Sequence, residues 1–195
     1  MDRIKNTELF LASSSPRRKE LLAKLGIPFK VAAFDAGEKV PDGMTAESAV
    51  EYLACLKARC AAERVNGIVI GADTVVEKDG HIMGKPDGKD DAFRMLSTLS
   101  GSVHNVHTGV CVLETESGRC ICGHETTRVF FDELTPDEIN RYIETGETCD
   151  KAGAYGIQGE GGKFVRRIEG DYYSVVGLPL NMLYRMLKEI ITDGG

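Results

Sequence analysis

Tryptophan is missing from this chain, proline is scarce, and no apolar stretch comes near the roughly 20 residues that a membrane-crossing helix needs. The six prolines are scattered, so no segment reads as a stiff spacer between domains. Positive charge is also short: 24 Lys and Arg face 30 Asp and Glu, for a net charge of -6. That balance argues against a general nucleic-acid binder, whose affinity comes from a basic face that neutralises phosphates. Neither a Gly-x-x-x-x-Gly-Lys-Ser/Thr loop nor a Gly-x-Gly-x-x-Gly turn after the first strand is present, which argues against P-loop and Rossmann sites. The Gly-x-Ser-x-Gly elbow of a serine hydrolase is absent as well. Residues 1–8 are too polar for a secretory leader. Six cysteines (Cys55, Cys60, Cys111, Cys120, Cys122, Cys149) are spread along a chain too large to depend on disulfide staples. Reduced thiols and a cytosolic protein are therefore expected.

What is present is an alternation of strand and helix patterns with no repeat, the signature of a mixed α/β sheet with helices around it. Strands are expected at 8–12, 29–33 and 68–70, the last ending at Gly71-Ala72-Asp73-Thr74. A hairpin over 75–83 turns at Asp79-Gly80, and long strands at 103–114 and 119–131 join near Glu116-Ser117-Gly118. Helices are expected from Pro16 to about residue 25, from Thr45 to about Arg64, over 88–99, from Thr135-Pro136 to about Thr145, and from Pro179 to about Ile191. A hairpin over 163–176, turning on Glu169-Gly170-Asp171, completes the pattern.

The chemistry concentrates in four places. The run Ser13-Ser14-Ser15-Pro16-Arg17-Arg18 follows the first strand, so hydroxyls, a helix N-terminus and two guanidinium groups face one space, a combination that binds phosphate. Asp73 after a β-branched run reads as a carboxylate at the carboxyl end of a central strand, where open α/β sheets place ligands; a helix or turn cap made by Asp73 or Thr74 is the alternative. Lys85, in Gly84-Lys85-Pro86, is either a phosphate contact or a solvated loop lysine. The glycine-rich stretch 150–159 lets backbone approach a ligand, with Tyr155 to pack on a base and the Gln158 amide to read its edge; a structural loop around a buried tyrosine is the alternative. Cys120-x-Cys122-x-His124 invites a zinc reading, but no second half-site with structural-zinc spacing accompanies it, and His104-x-x-His107 points its rings to opposite strand faces.

Taken in order, Ala12-Ser13-x-Ser15-Pro16-Arg17-Arg18, Gly71-Ala72-Asp73-Thr74, Gly84-Lys85-Pro86, Lys151-Ala152-Gly153-Ala154-Tyr155-Gly156-Ile157-Gln158-Gly159 and Val175-Val176-Gly177-Leu178-Pro179 resemble the Maf family of nucleotide pyrophosphatases nearly end to end. The resemblance implies one two-lobed α/β domain over residues 1–195, a mixed central β-sheet flanked by helices as in ITPase-like proteins, and a substrate cleft between the lobes. It implies hydrolysis of a nucleoside triphosphate between its α and β phosphates, and the glycine-rich stretch looks like the branch acting on dTTP and UTP. Asp73 is then the proton acceptor; Arg17, Thr74 and Gln158 are linked with substrate choice; and Ser13, Ser15, Arg18, Lys57 and Lys85 hold the triphosphate. Asp73 and Glu38 would share a divalent cation, Mg²⁺ or Mn²⁺, although Gly37-Glu38 stands where many relatives carry two adjacent acids. A homodimer is the implied assembly. The competing class is a non-catalytic nucleotide-binding regulator of septum formation, and a purine-directed house-cleaning enzyme is a third reading.

Overall fold

Strands pair into one mixed sheet of seven, flanked by helices, in the computed structural model, which describes residues 7–37 and 39–192. The strands are β1 (Leu9–Leu11), β2 (Lys30–Val31), β3 (Ile68–Lys78), β4 (His81–Met83), β5 (Val103–Glu114), β6 (Cys120–Phe131) and β7 (Val165–Glu169). Their order is β2-β1-β3-β5-β6-β7, with β4 paired to β3. β1 runs parallel to both β2 and β3, whereas β3–β4 and β6–β7 are antiparallel. The helices are α1 (Pro16–Ala23), α2 (Ala46–Ala62), α3 (Lys89–Leu99), α4 (Pro136–Glu144), α5 (Tyr172–Val176) and α6 (Leu180–Thr192). None of the described helices is long and apolar enough to cross a membrane.

The chain divides into two compact units. One comprises residues up to Asp73, Thr108–Glu125 and the chain from Gly177 onward; the other comprises Thr74–His107 and Thr126–Val176.

In the first unit the core is made of small side chains. Ala54, Ala58 and Ala61 recur on one face of α2 and pack with Phe10, Ala12, Val69, Cys111 and Leu113. The helix comes so close to the sheet that two strand positions have no room for a Cβ. At Gly71 it would overlap the Ala54 carbonyl and sit 2.9 Å from the Ala58 nitrogen; at Gly109 it would overlap the Val50 carbonyl and sit 2.7 Å from the Glu51 nitrogen.

In the second unit larger residues do the packing. Leu96 and Leu99 of α3 and Ile139, Tyr142 and Ile143 of α4 close over Val76, Val106, Val129, Phe131, Tyr155 and Phe164. Helix α4 begins with a reciprocal capping box, Thr135 accepting from the Glu138 amide and the Glu138 carboxylate accepting from the Thr135 amide. Phe131 and Tyr155 meet edge to face with centroids 4.7 Å apart, and the His104 ring lies 5.0 Å from Phe131.

The burial of His104 makes stability pH-dependent. Desolvation, reinforced by the positive charge of Lys78, lowers its pKa from 6.5 to about 4. Between those values the unfolded chain binds a proton that the folded chain does not, so stability is complete above the upper value and falls on acidification. We expect a loss of about 1.4 kcal/mol per pH unit through that window, about 3 kcal/mol in all. Urea unfolding at a series of pH values checks this. The slope should vanish in His104→Gln, and a wild-type stability flat across the window refutes it.

Three sequence expectations need correction. β3 does not stop near Asp73 but continues through Thr74, Val75 and Val76, whose branched side chains suit a strand. The expected strand at 29–33 is reduced to Lys30–Val31. The hairpin over 163–176 does not form: β7 pairs instead with β6, and residues 172–176 are helical, with the Asp171 carboxylate accepting from the Tyr173 amide. A local side-chain bond at the helix start there outweighs the strand preference of Val175 and Val176.

Candidate active site

The Ser13–Arg18 turn is built as the sequence suggests. Ser15 caps α1, its hydroxyl accepting from the Arg18 amide, and Pro16 occupies the first turn. Buried Ser13 accepts hydrogen bonds from the Ser15 amide and from Arg18 Nη1, each at 3.3 Å. Arg18 Nε donates to the Gly177 carbonyl at 2.9 Å. The guanidinium is thereby fixed in direction by two groups far apart in sequence, while the half-buried Arg17 lies one position earlier on the first turn. The result is a preorganised cluster of hydroxyl and guanidinium donors at a helix N-terminus, suited to an anion.

In the same unit, Asp73 is only 9% exposed, and its Oδ1 accepts from Lys57 Nζ at 2.6 Å. Both side chains are largely withdrawn from water, each 12% exposed. Close seating of α2 on Gly71 produces this pairing, because Lys57 lies on the same helix as Ala54 and Ala58, and Asp73 lies two residues beyond Gly71. Charge-assisted hydrogen bonding of this kind orients a carboxylate and offsets its burial.

The second unit carries Thr74, Lys85 and Gln158. Thr74 is half-buried on β3, whereas Lys85 and Gln158 are exposed in loops. Backbone bonding ties the two loop regions together, since the Gly84 carbonyl accepts from the Gly153 amide at 3.0 Å. The turn bearing Gln158 is braced on both sides by residues that the sequence did not single out. The Tyr142 hydroxyl accepts from the Gly156 amide at 3.1 Å, and Glu147 Oε2 accepts from the Glu160 amide at 2.9 Å. Tyr142 could have been noticed as an apolar-face residue of an amphipathic helix; nothing local marks Glu147.

Tyr155 is not available to stack on a base. It is buried in the core of this unit, its hydroxyl 2.8 Å from His104 Nε2, and burial raises its pKa well above the ordinary tyrosine range. Its role is to shape the glycine-rich segment from inside. Glu38 lies outside the described residues. Among the described residues, no group of three or more acidic or imidazole ligands gathers around Asp73.

Comparison with known proteins agrees with the motif order. The profile of the family described as Maf-like protein matches residues 8–190. A relative from Alkaliphilus oremlandii named dTTP/UTP pyrophosphatase is 48% identical over 183 residues, covering 93% of this chain and 95% of its own. One of the same name from Thermococcus gammatolerans is 51% identical over 178 residues, covering 91% and 94%. Among solved structures, a HAM1 protein from Coxiella burnetii shares the fold, with a TM-score of 0.52 at 18% identity over 94% of this chain and 99% of that one. With matching motifs, nearly complete coverage and half its residues in common with such relatives, this chain belongs to the Maf-like protein family.

Proposed function

We propose that this protein is a nucleoside triphosphate pyrophosphatase that hydrolyses dTTP and UTP between the α and β phosphates, clearing such nucleotides, modified pyrimidines included, from the cytosolic pool. The observation that carries the reading is the buried Asp73–Lys57 pair, in a chain aligned over nearly its whole length with relatives named dTTP/UTP pyrophosphatase.

In this reading Asp73 accepts a proton from a water whose oxygen forms a bond to the α phosphorus. The bond from that phosphorus to the bridging oxygen breaks, pyrophosphate leaves, and the proton passes from Asp73 to solvent. Lys57 keeps the carboxylate oriented. Ser13, Ser15, Arg17, Arg18 and Lys85 neutralise the phosphate oxygens, and fixed donors suit a reaction that depends more on charge stabilisation than on covalent help. Thr74 and Gln158 select the base, Gln158 by offering one donor and one acceptor. The hard carboxylate of Asp73 fits Mg²⁺ or Mn²⁺, with Glu38 as a second ligand; when bound, the ion supplies further neutralisation of phosphate charge.

The decisive experiment is a panel of canonical and modified nucleoside triphosphates with Mg²⁺ or Mn²⁺, scored for monophosphate and pyrophosphate. Selective turnover of dTTP and UTP is expected. Binding without turnover across the panel would replace the enzyme with a regulator. Arg17→Ala should lower kcat/KM by roughly 10- to 1,000-fold, the scale of one lost charge-assisted contact of about 1.5–3 kcal/mol plus positioning. Steady-state kinetics within twofold of wild type would remove Arg17 from the site.

A further inference from the structure

Four of the six cysteines converge although nothing in their spacing foretells it. Cys55 comes from α2, Cys111 from β5, and Cys120 and Cys122 from β6, and their four sulfurs lie within 4.8 Å of one another. The other two, Cys60 and Cys149, stand outside the group. We propose that Cys55, Cys111, Cys120 and Cys122 form a closed tetrathiolate site for one zinc ion that pins helix α2 to the β5–β6 strands.

The geometry suits that ion. Four ligands at the usual zinc–sulfur length of about 2.3 Å in a tetrahedron leave sulfurs about 3.8 Å apart. Here Cys120 Sγ lies 3.6 Å from Cys122 Sγ and 3.1 Å from Cys111 Sγ, with all four sulfurs within 4.8 Å of one another, so an ion needs each separation to change by about 1 Å or less. All four are free thiols. Soft sulfur donors refuse Mg²⁺ and select zinc, which sets this site apart from the hard-donor chemistry assigned to Asp73. Burial is graded, from Cys111 inside to Cys122 at the surface, which gives an ion a way in. Arg59 Nε donates to Cys55 Sγ at 3.2 Å, an outer-sphere bond that offsets part of the negative charge of four thiolates around a divalent ion. The thiols lose their protons to solvent as the metal binds.

His124, which follows in the pattern Cys120-x-Cys122-x-His124, is not among the four converging ligands; its Nδ1 is 2.5 Å from Glu51 Oε1. The half-site that the sequence appeared to lack is supplied by a helix and a neighbouring strand, a convergence that exists only in three dimensions.

Metal analysis of the reduced, full-length protein tests the site without reference to activity. One zinc per chain should survive desalting, and Co²⁺ added to the stripped protein should give the intense visible bands of tetrahedral thiolate coordination. Cys122→Ser should weaken cobalt and zinc binding by roughly 100-fold, more than most outer-shell changes do, whereas Cys149→Ser should change nothing. Substoichiometric zinc together with no cobalt bands in the reduced wild type overturns the proposal, whatever the variants do. So does unchanged affinity in a folded Cys122→Ser protein. Peptide mapping that finds these cysteines paired as disulfides in protein purified under nitrogen would overturn it as well.

Discussion

Asp73→Asn should lower turnover of dTTP and UTP by roughly 100- to 10,000-fold, the range that a positioned general base contributes, while nucleotide still binds. The asparagine keeps the size of the carboxylate and an oxygen able to accept from Lys57, so the packing of β3 against α2 persists. What disappears is the capacity to take a proton from water and the negative charge opposite Lys57, which lies 2.6 Å away. Steady-state kinetics should show the loss in kcat rather than KM, and equilibrium binding of a non-hydrolysable nucleotide should change far less. A variant that retains a tenth or more of wild-type kcat would take Asp73 out of the role of base and leave it as a structural partner of Lys57.

Gly71→Ala is expected to destabilise the protein by about 3 kcal/mol or more, at the upper end of the cost of overpacking, because the added carbon meets backbone rather than a flexible side chain. It would overlap the Ala54 carbonyl and stand 2.9 Å from the Ala58 nitrogen, and neither can move without carrying α2 with it. Gly84→Ala, where no atom lies within 4 Å of the new carbon, should cost much less. Urea unfolding of both variants makes the comparison. Equal midpoints would show that α2 is not seated as tightly as its contacts indicate. Because Lys57 rides on α2, the surviving folded Gly71→Ala protein should also lose activity, and the two losses should track each other.

The sequence carried the parts of this molecule that depend on neighbours along the chain. The capping box at Thr135 and Glu138, the proline at the start of α1, and the turn at Asp79-Gly80, with φ of 52° and 80°, are local chemistry and were legible. The first arm of the expected 163–176 hairpin exists as β7, but its pairing with β6 and the helix at 172–176 were not legible, because strand preference at Val175 and Val176 competes with a bond to Asp171 that a propensity argument does not weigh. The candidate site divides in the same way. Ser13, Ser15 and Arg18 sit in one turn and are joined much as their order suggests. The partnership of Lys57 with Asp73 depends on how closely a helix approaches a strand, and the convergence of four cysteines depends on three separate elements. Neither distance is written in spacing. Tyr155 misled for a related reason: glycine neighbours suggest an accessible ring, but Phe131 and His104 within the second unit's core claim it.

The brace on the glycine-rich turn has a consequence for how base preference can drift. Glu147 fixes the backbone on the far side of Gln158 through a single amide, and Tyr142 fixes the near side through another. If Gln158 reads the base as proposed, a change at either would alter the angle of its amide while leaving every group proposed to touch substrate intact. Base preference would then be open to change through these two outlying positions, which a library confined to ligand-facing residues would pass over.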